Sequence, residues 1–392
     1  MADAPTDAVA TPAAATTATV ATSATVATSA VGVPARPRVS WMALGLLIAL
    51  ALVPIVAKLI DQPFYITLFT RIVIFAIAAV GLHLILGYGA MVSFGHALYL
   101  GVGAYAVGIL SSHGITSGWL HLIAALAVGA IAAVIVGWVC LRTTGVAFIM
   151  ITLAFAQMFY FLAVSLKTYG GDDGLPIASR SNFGLVDLAS NTAFYYVSFF
   201  VLVVVLAVFR IVIASRFGMV LRGCKSNERR MAALGFPTLR YKLAAYVISA
   251  LICTVAGVLL ANLTRFASPS YMQWQASGDL IVMIVFGGIG TLIGPVAGAT
   301  ALLLLEEVLM SWTDHSNAIL GPLIVVVVLA SNRGIFGLLD ALGLRRSAAQ
   351  AARYTATNSA TNSATNSATN SATSSATNSA TNSATTTPQD PR

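Results

Sequence analysis

Between residues 41 and 332 the chain alternates long apolar runs with short polar breaks. Each run holds on the order of 20 residues, enough for one helix to cross a bilayer core roughly 30 Å thick. The pattern predicts ten helices, near 41–60, 64–86, 90–110, 119–141, 145–166, 193–213, 243–264, 279–292, 296–311 and 317–332. One region stays open: "FGGIGTLIGPVAGA" suits either a single kinked helix over 279–311 or two shorter ones meeting at a re-entrant turn.

Composition places these helices in lipid. Of the 392 residues 58% are hydrophobic and 9% are charged, with a mean hydropathy of +0.87. So few charges cannot clothe a water-soluble surface, where about 25% is usual. The expected fold is all-α, a polytopic membrane protein of about ten spanning helices. The flanks differ in kind. Residues 1–38 are rich in Ala, Thr, Val and Ser, and 347–392 consist largely of repeated "TNSA" tetrads. Such polar, low-complexity stretches bury too little apolar surface to offset chain entropy, so both tails are expected to be disordered around a membrane domain at 39–346. Arg36 and Arg38 come late and precede a full-length span, which reads as an anchor and not a cleaved leader.

Charge then orients the chain. Arg36, Arg38, Arg142, the stretch 215–242 and Arg333, Arg345 and Arg346 fall on one side, which the positive-inside rule makes cytoplasmic. Asp61, His113, His121, Asp172, Asp173, Asp187 and Asp314 fall on the other, with few cations (Lys58, Lys167, Arg180, Arg265). An even number of spans puts both termini inside. This distribution, between apolar runs, also argues against a nucleic-acid partner despite the net charge of +8. Cys140, Cys224 and Cys253 show no metal-type spacing and no disulfide framework.

The stretch 215–242 concentrates Arg216, Arg222, Lys225, Arg229, Arg230, Arg240 and Lys242 around a single acid, Glu228. Topology accounts for the cations but not for the Glu. Residues 225–234 can form a short amphipathic helix with Met231 and Leu234 on one face, stopped by Gly235-Phe236-Pro237.

Catalytic signatures are missing. No lysine follows a glycine, which excludes a Walker A loop, and neither HExxH nor GxSxG occurs. The chain reads as a conduit and not an enzyme. Ionisable groups inside a membrane are costly and become functional candidates. His83, and His96 with Ser93, admit two readings: an interhelical hydrogen bond or a place on a substrate path. Arg71, Asp279, Glu306 and Glu307 sit near predicted span ends, where snorkelling suffices.

Five ordered segments resemble one family. "LILGYGAMVSFGHALYLGVGAYAVGIL" (84–110) is similar to the SxGHxxxxGxGAY signature of permease subunits of branched-chain amino-acid ABC importers. "LRTTGVAFIMITLAFAQMFY" (141–160) resembles the helix that follows, and "TYGGDDGLPI" (168–177) the external TGGxxGL loop, with Tyr169 departing from it. The run from Ser215 to Ala261 and "FGGIGTLIGPVAGA" resemble the large cytoplasmic loop, the next helix and a re-entrant segment, so the likeness covers roughly 40–335.

The resemblance implies a permease bundle in the bacterial inner membrane. It implies ABC ATPase subunits that carry the ATP and Mg, a sister permease and a periplasmic amino-acid-binding protein, with no cofactor on this chain. Glu228, Ala232 or Ala233, and Gly235 match the family's ATPase-docking loop, with Arg222, Lys225, Arg229 and Arg230 around them. Ser93, Gly95, His96 and His83 become candidates for the substrate path. Gly170, Gly171, Asp172 and Asp173 become a candidate contact for the binding protein, against the plainer reading of a capped turn. Urea, amide or sugar importers have similar permeases. A different class, a single-chain ion-coupled carrier, should show inverted halves with charged mid-membrane sites.

Overall fold

The computed structural model describes residues 41–184, 190–312, 318–322 and 324–325. Two units divide the chain, Met1–Trp41 and Met42–Arg392, and the architecture described is that of the second. Both tails, Asp187, Asp314 and most of the predicted helix 317–332 lie outside the described residues.

The helices are α1 (Trp41–Leu59), α2 (Pro63–Gly89), α3 (His96–Ser112), α4 (Gly118–Cys140) and α5 (Val146–Ser165), then α6 (Asn191–Ala214), α7 (Arg216–Ala233), α8 (Thr238–Thr264), α9 (Trp274–Gly287) and α10 (Gly294–Trp312). The extended pairs β1 (Leu175–Pro176) and β2 (Phe266–Ala267) join antiparallel, Leu175 opposite Ala267. Among the described residues six helices, α2, α4, α5, α6, α8 and α10, are long and apolar enough to cross a membrane, and α1, α3 and α9 are shorter apolar helices. The protein is all-α, as expected.

Helices α2, α3 and α8 form the centre. Most of α2 is buried along its length, and α8 packs against α2, α3, α4 and α7. Hydrophobic burial cannot bring helices together in lipid, so close packing and interhelical hydrogen bonds must do so. Ser249 Oγ of α8 donates to the Gly81 carbonyl of α2 at 2.6 Å, and Cys253 Sγ to that of Ala78 at 3.5 Å. Around this centre α4, α5 and α6 expose large apolar side chains such as Ile131, Phe161 and Phe200. Lipid accepts that surface as readily as a core would.

The ambiguous region consists of two helices. α9 and α10 pack closely, joined at a turn containing Gly288 and Gly290 at φ +111°. At their contact Gly298 faces the backbone of Met283, leaving no room for a Cβ. Small residues here let two backbones approach as side chains would forbid.

The structure corrects one boundary with consequences. The predicted helix over 90–110 starts only at His96, and α2 runs on to Gly89. Ala90, exposed, adopts a left-handed conformation (φ 54°) that ends α2, and residues 91–95 run non-helical with Met91, Ser93 and Gly95 buried.

Candidate functional site

The charged stretch folds as α7. Ser215 caps it, its Oγ accepting from Gly218 N at 3.4 Å, and the first half buries Val220, Leu221 and Cys224. At Asn227 the helix breaks (φ −160°, ψ 102°). The Asn227 side chain accepts from Arg230 N at 2.9 Å, so it serves as N-cap of a second short helical piece. That piece ends at a Schellman cap, with Phe236 N donating to Met231 O at 3.2 Å and Gly235 N to Ala232 O at 2.9 Å. Gly235 takes φ +88°, a conformation a side chain would strain, and Pro237 follows immediately. The predicted stop stands where it was expected. The start does not: the helix begins at Arg216, nine residues before the predicted Lys225, and carries a break.

The predicted amphipathic face is also redrawn. Met231 folds back across the break onto Gly223, whereas Leu234, the C-cap, is 66% exposed. The cap takes Leu234 off the face that Met231 occupies.

The cations of α7 divide by role. Lys225 Nζ donates to the Gly87 carbonyl at 2.7 Å, capping the C-terminal turn of α2 where the helix dipole favours a positive charge. Arg222 donates to Gly218 O at 3.2 Å and Ile213 O at 3.4 Å. Glu228 pairs with Lys242 of α8 at 2.5 Å, and Lys242 is nearly buried. These residues thus tie α7 to α2 before the break and to α8 after it. Arg229, Arg230, Ala232, Ala233 and Gly235 remain exposed at the tip. A cavity of about 220 Å³ lies beneath, lined by Ala90, Thr143, Lys225, Glu228 and Lys242 among others. Burial pushes the Cys224 thiol up, with the Lys242 charge opposing and Glu228 adding to the effect.

Ser93, Gly95 and His96 come together at the break between α2 and α3. There Ser93 Oγ lies 2.9 Å from His96 Nδ1 and accepts from Gly95 N at 3.2 Å. Two further backbone donors are met from other helices, Phe94 N by Thr152 Oγ1 at 3.3 Å and Ala97 N by Ser277 Oγ at 3.0 Å. Irregular backbone at membrane depth survives only when satisfied in this way. The ring of His96 packs edge-on to Tyr99 and Tyr246, whose hydroxyls are 3.2 Å apart. His83 stands elsewhere, stacked on Phe209 and accepting from Gly290 N at 3.3 Å. All four path candidates, Gly95 included, are buried within the chain.

At the other end, Gly170 and Gly171 turn the chain after a short 3-10 segment (Lys167–Tyr169), leaving Asp172 and Asp173 exposed. The loop is anchored below them. Ile177 N donates to Arg265 O at 2.9 Å, and Ser181 N to the Asn262 side chain at 2.8 Å. His121, buried, sits 2.7 Å from Ser181 Oγ and 2.9 Å from Ile115 O. Arg180 donates to Asn262 O and to the Asn191 side chain and covers the Phe194 ring. Desolvation, and then the charge of Arg265, holds the Arg180 pKa below its usual value.

The family described as "Branched-chain amino acid transport system / permease component" matches residues 64–329. The chain belongs to this family. It is 25% identical over 290 residues to the high-affinity branched-chain amino acid transport system permease protein LivM of Salmonella typhimurium, covering 68% of each chain. Against LivM of Escherichia coli K12 the identity is 24% over 290 residues, again with 68% of each chain covered. It is also 27% identical over 285 residues to the permease protein LivH of Escherichia coli K12, covering 67% of this chain and 91% of LivH. No solved structure matches.

In this permease, then, the sites expected from sequence fall into four places: α7, the α2–α3 break, His83 beside the α9–α10 turn, and the Gly170–Asp173 loop. Sequence reading missed Asn227, because a single Asn in a basic run carries no periodic signal. It missed Thr152 and Ser277 for a similar reason: their task is set by a break between other helices. It also treated Arg71, Asp279 and Glu306 as separate span-end charges, although α2, α9 and α10 pack together.

Proposed function

We propose that the chain is the membrane-embedded half-channel of an ATP-driven importer of branched-chain amino acids. It pairs with a sister permease in the bacterial inner membrane and two ATPase chains bind ATP and Mg on the cytoplasmic side. A periplasmic protein delivers leucine, isoleucine or valine to the opposite face, touching the Gly170–Asp173 turn. The chain itself catalyses nothing.

The observation that carries this reading is α7. A surface helix clamped to α2 through Lys225 and to α8 through Glu228, with a break between the clamps, is built to divide an applied push between two central helices. Its exposed tip, Arg229 to Gly235, is where the push enters. Motion of α7 would swing α2 and α8 and alternate the access of the path. Ser93, Gly95, His96 and His83 act in this scheme from behind the path wall, where they hold the α2–α3 break and the α2–turn contact in register.

The test is uptake of radiolabelled leucine into proteoliposomes holding the assembled complex, with ATP inside. Glu228→Ala is expected to lower uptake about tenfold, and Gly235→Pro more, with membrane insertion unchanged. ATP-driven uptake at the unsubstituted rate in both variants would sink the coupling assignment.

A further inference from the structure

The cavity beneath α7 holds about 220 Å³. That is far more than the ~30 Å³ share of one water and below the ~300–1,000 Å³ of pockets for drug-sized ligands, so its scale is that of a small metabolite. In its lining Lys225, Thr144 and Gly145 are exposed, whereas Lys242, Met91 and Phe148 are buried. The cavity therefore opens outward and reaches into the chain.

Its walls differ in chemistry. All the charge of the lining stands on α7 and α8, as Lys225, Glu228 and Lys242. Each of the three holds hydrogen-bonding capacity in reserve. Among the described residues Lys225 Nζ bonds only the Gly87 carbonyl and Lys242 Nζ only Glu228, while a lysine carries three N–H donors. Glu228 meets Lys242 through one oxygen, Oε2, which leaves the other for a further donor. The rest of the wall is largely apolar, from Met91, Val92, Leu141, Phe148 and Ile149. α5 begins in that wall after Gly145, with no side chain capping its first N–H groups, and such a terminus favours negative charge.

An inorganic anion would satisfy the lysines but stand against Glu228 and make no use of the apolar wall. A metal cation would face two ammonium groups. A molecule with one carboxylate, one ammonium and an aliphatic body matches every part of the lining. It would also exchange partners without stranding a charge: its ammonium takes Glu228 while its carboxylate takes the freed Lys242.

We propose that this cavity binds an aliphatic α-amino acid, its carboxylate on Lys225 and Lys242, its ammonium on Glu228 and its side chain against Phe148 and Ile149, and that the occupant is the imported product acting back on transport. This rests on the functional reading above, which puts the cavity on the cytoplasmic face, and adds to it a regulatory site. The consequence is mechanical. An occupant held between α7, α8 and α5 resists the motion of α7 on which that reading depends. Linkage then runs both ways, because a ligand that slows the motion is bound less tightly once the motion has occurred.

The experiment uses the full complex of both permeases and the ATPases. Without the binding protein, equilibrium dialysis against radiolabelled leucine is expected to show saturable binding at millimolar concentration or below. Thr144→Trp and, from another part of the wall, Ile149→Trp should each fill the cavity and weaken that binding at least tenfold. Isocaproate and isoamylamine, each lacking one of leucine's charges, should displace the label at least tenfold less well than leucine does. In proteoliposomes, millimolar unlabelled leucine sealed inside with ATP should lower the initial uptake rate at least threefold. Thr144→Trp should lose that inhibition and keep its rate without internal leucine within twofold of the unsubstituted complex. No saturable binding, or binding that both tryptophan variants leave intact, overturns the proposal. Should neither variant assemble, the displacement series decides, and single-charge analogues as effective as leucine overturn it. Displacement by inorganic phosphate or glycerol phosphate better than by leucine overturns it in favour of an anion or lipid-headgroup site. Binding without inhibition from inside overturns the regulatory role. A complex that binds leucine in the cavity but takes up none fails the functional reading alone, and one that transports leucine without binding it here fails the site alone.

Discussion

The pair Glu228–Lys242 joins a half-exposed carboxylate to an ammonium whose side chain is 11% exposed. Its two ends are therefore unequal. Glu228→Ala strands a nearly buried charge, at about 1–3 kcal/mol, whereas Lys242→Ala frees a carboxylate that water can reach, at about 1 kcal/mol or less. A double-mutant cycle read by thermal unfolding of the purified permease should show the double variant more stable than Glu228→Ala alone. Equal single effects would contradict the burial asymmetry. Cys224 offers a second check. Because its thiol pKa is raised, the thiol is still protonated at neutral pH, and only the thiolate attacks. Labelling by a maleimide at pH 7 is expected to be at least tenfold slower than for an exposed cysteine placed at Ala232, rising as pH approaches 9. The identity of Glu228 as the odd acid was legible from composition. That its partner would be Lys242, fourteen residues on and in another helix, was not, since nothing in the chain's periodicity pairs them.

At the level of elements, the tightest test falls on the α9–α10 pair. Gly298→Val would drive two methyl groups into the Met283 backbone, and overpacking of this kind costs about 1–3 kcal/mol. The expected outcome is a melting temperature several degrees lower, with loss of the two-helix packing. A Val accepted without change would mean that the pair is looser than described. The region was readable as a glycine-rich interruption, but the choice between one helix and two depended on contact between backbones, which a one-dimensional pattern does not contain. The same holds for the start of α3. "AMVSFG" is apolar enough to extend a helix, and only hydroxyls on α5 and α9 make the extended path affordable. α7 shows the converse: its end was legible, because Gly235-Phe236-Pro237 is a local stop signal, while its break at Asn227 was not.

For the molecule as a whole, the expectation is dependence on partners. Purified alone and placed in liposomes, the chain should carry no leucine, with or without an imposed proton gradient, and should gain ATP-driven uptake when the sister permease, ATPases and binding protein are supplied. Uptake by the lone chain without ATP would return the reading to an ion-coupled carrier. The class of the protein, its all-α character and its family were all written in the linear chain. Each follows from local composition against a solvent of two dielectric constants, or from short ordered motifs. Tertiary structure alone settled which charges are paired inside the chain and where helices break. Those outcomes arise from contacts between segments up to about two hundred residues apart, such as His83 with Gly290. Hydrophobicity along the chain specifies how deep a residue lies, but not the neighbour it meets there.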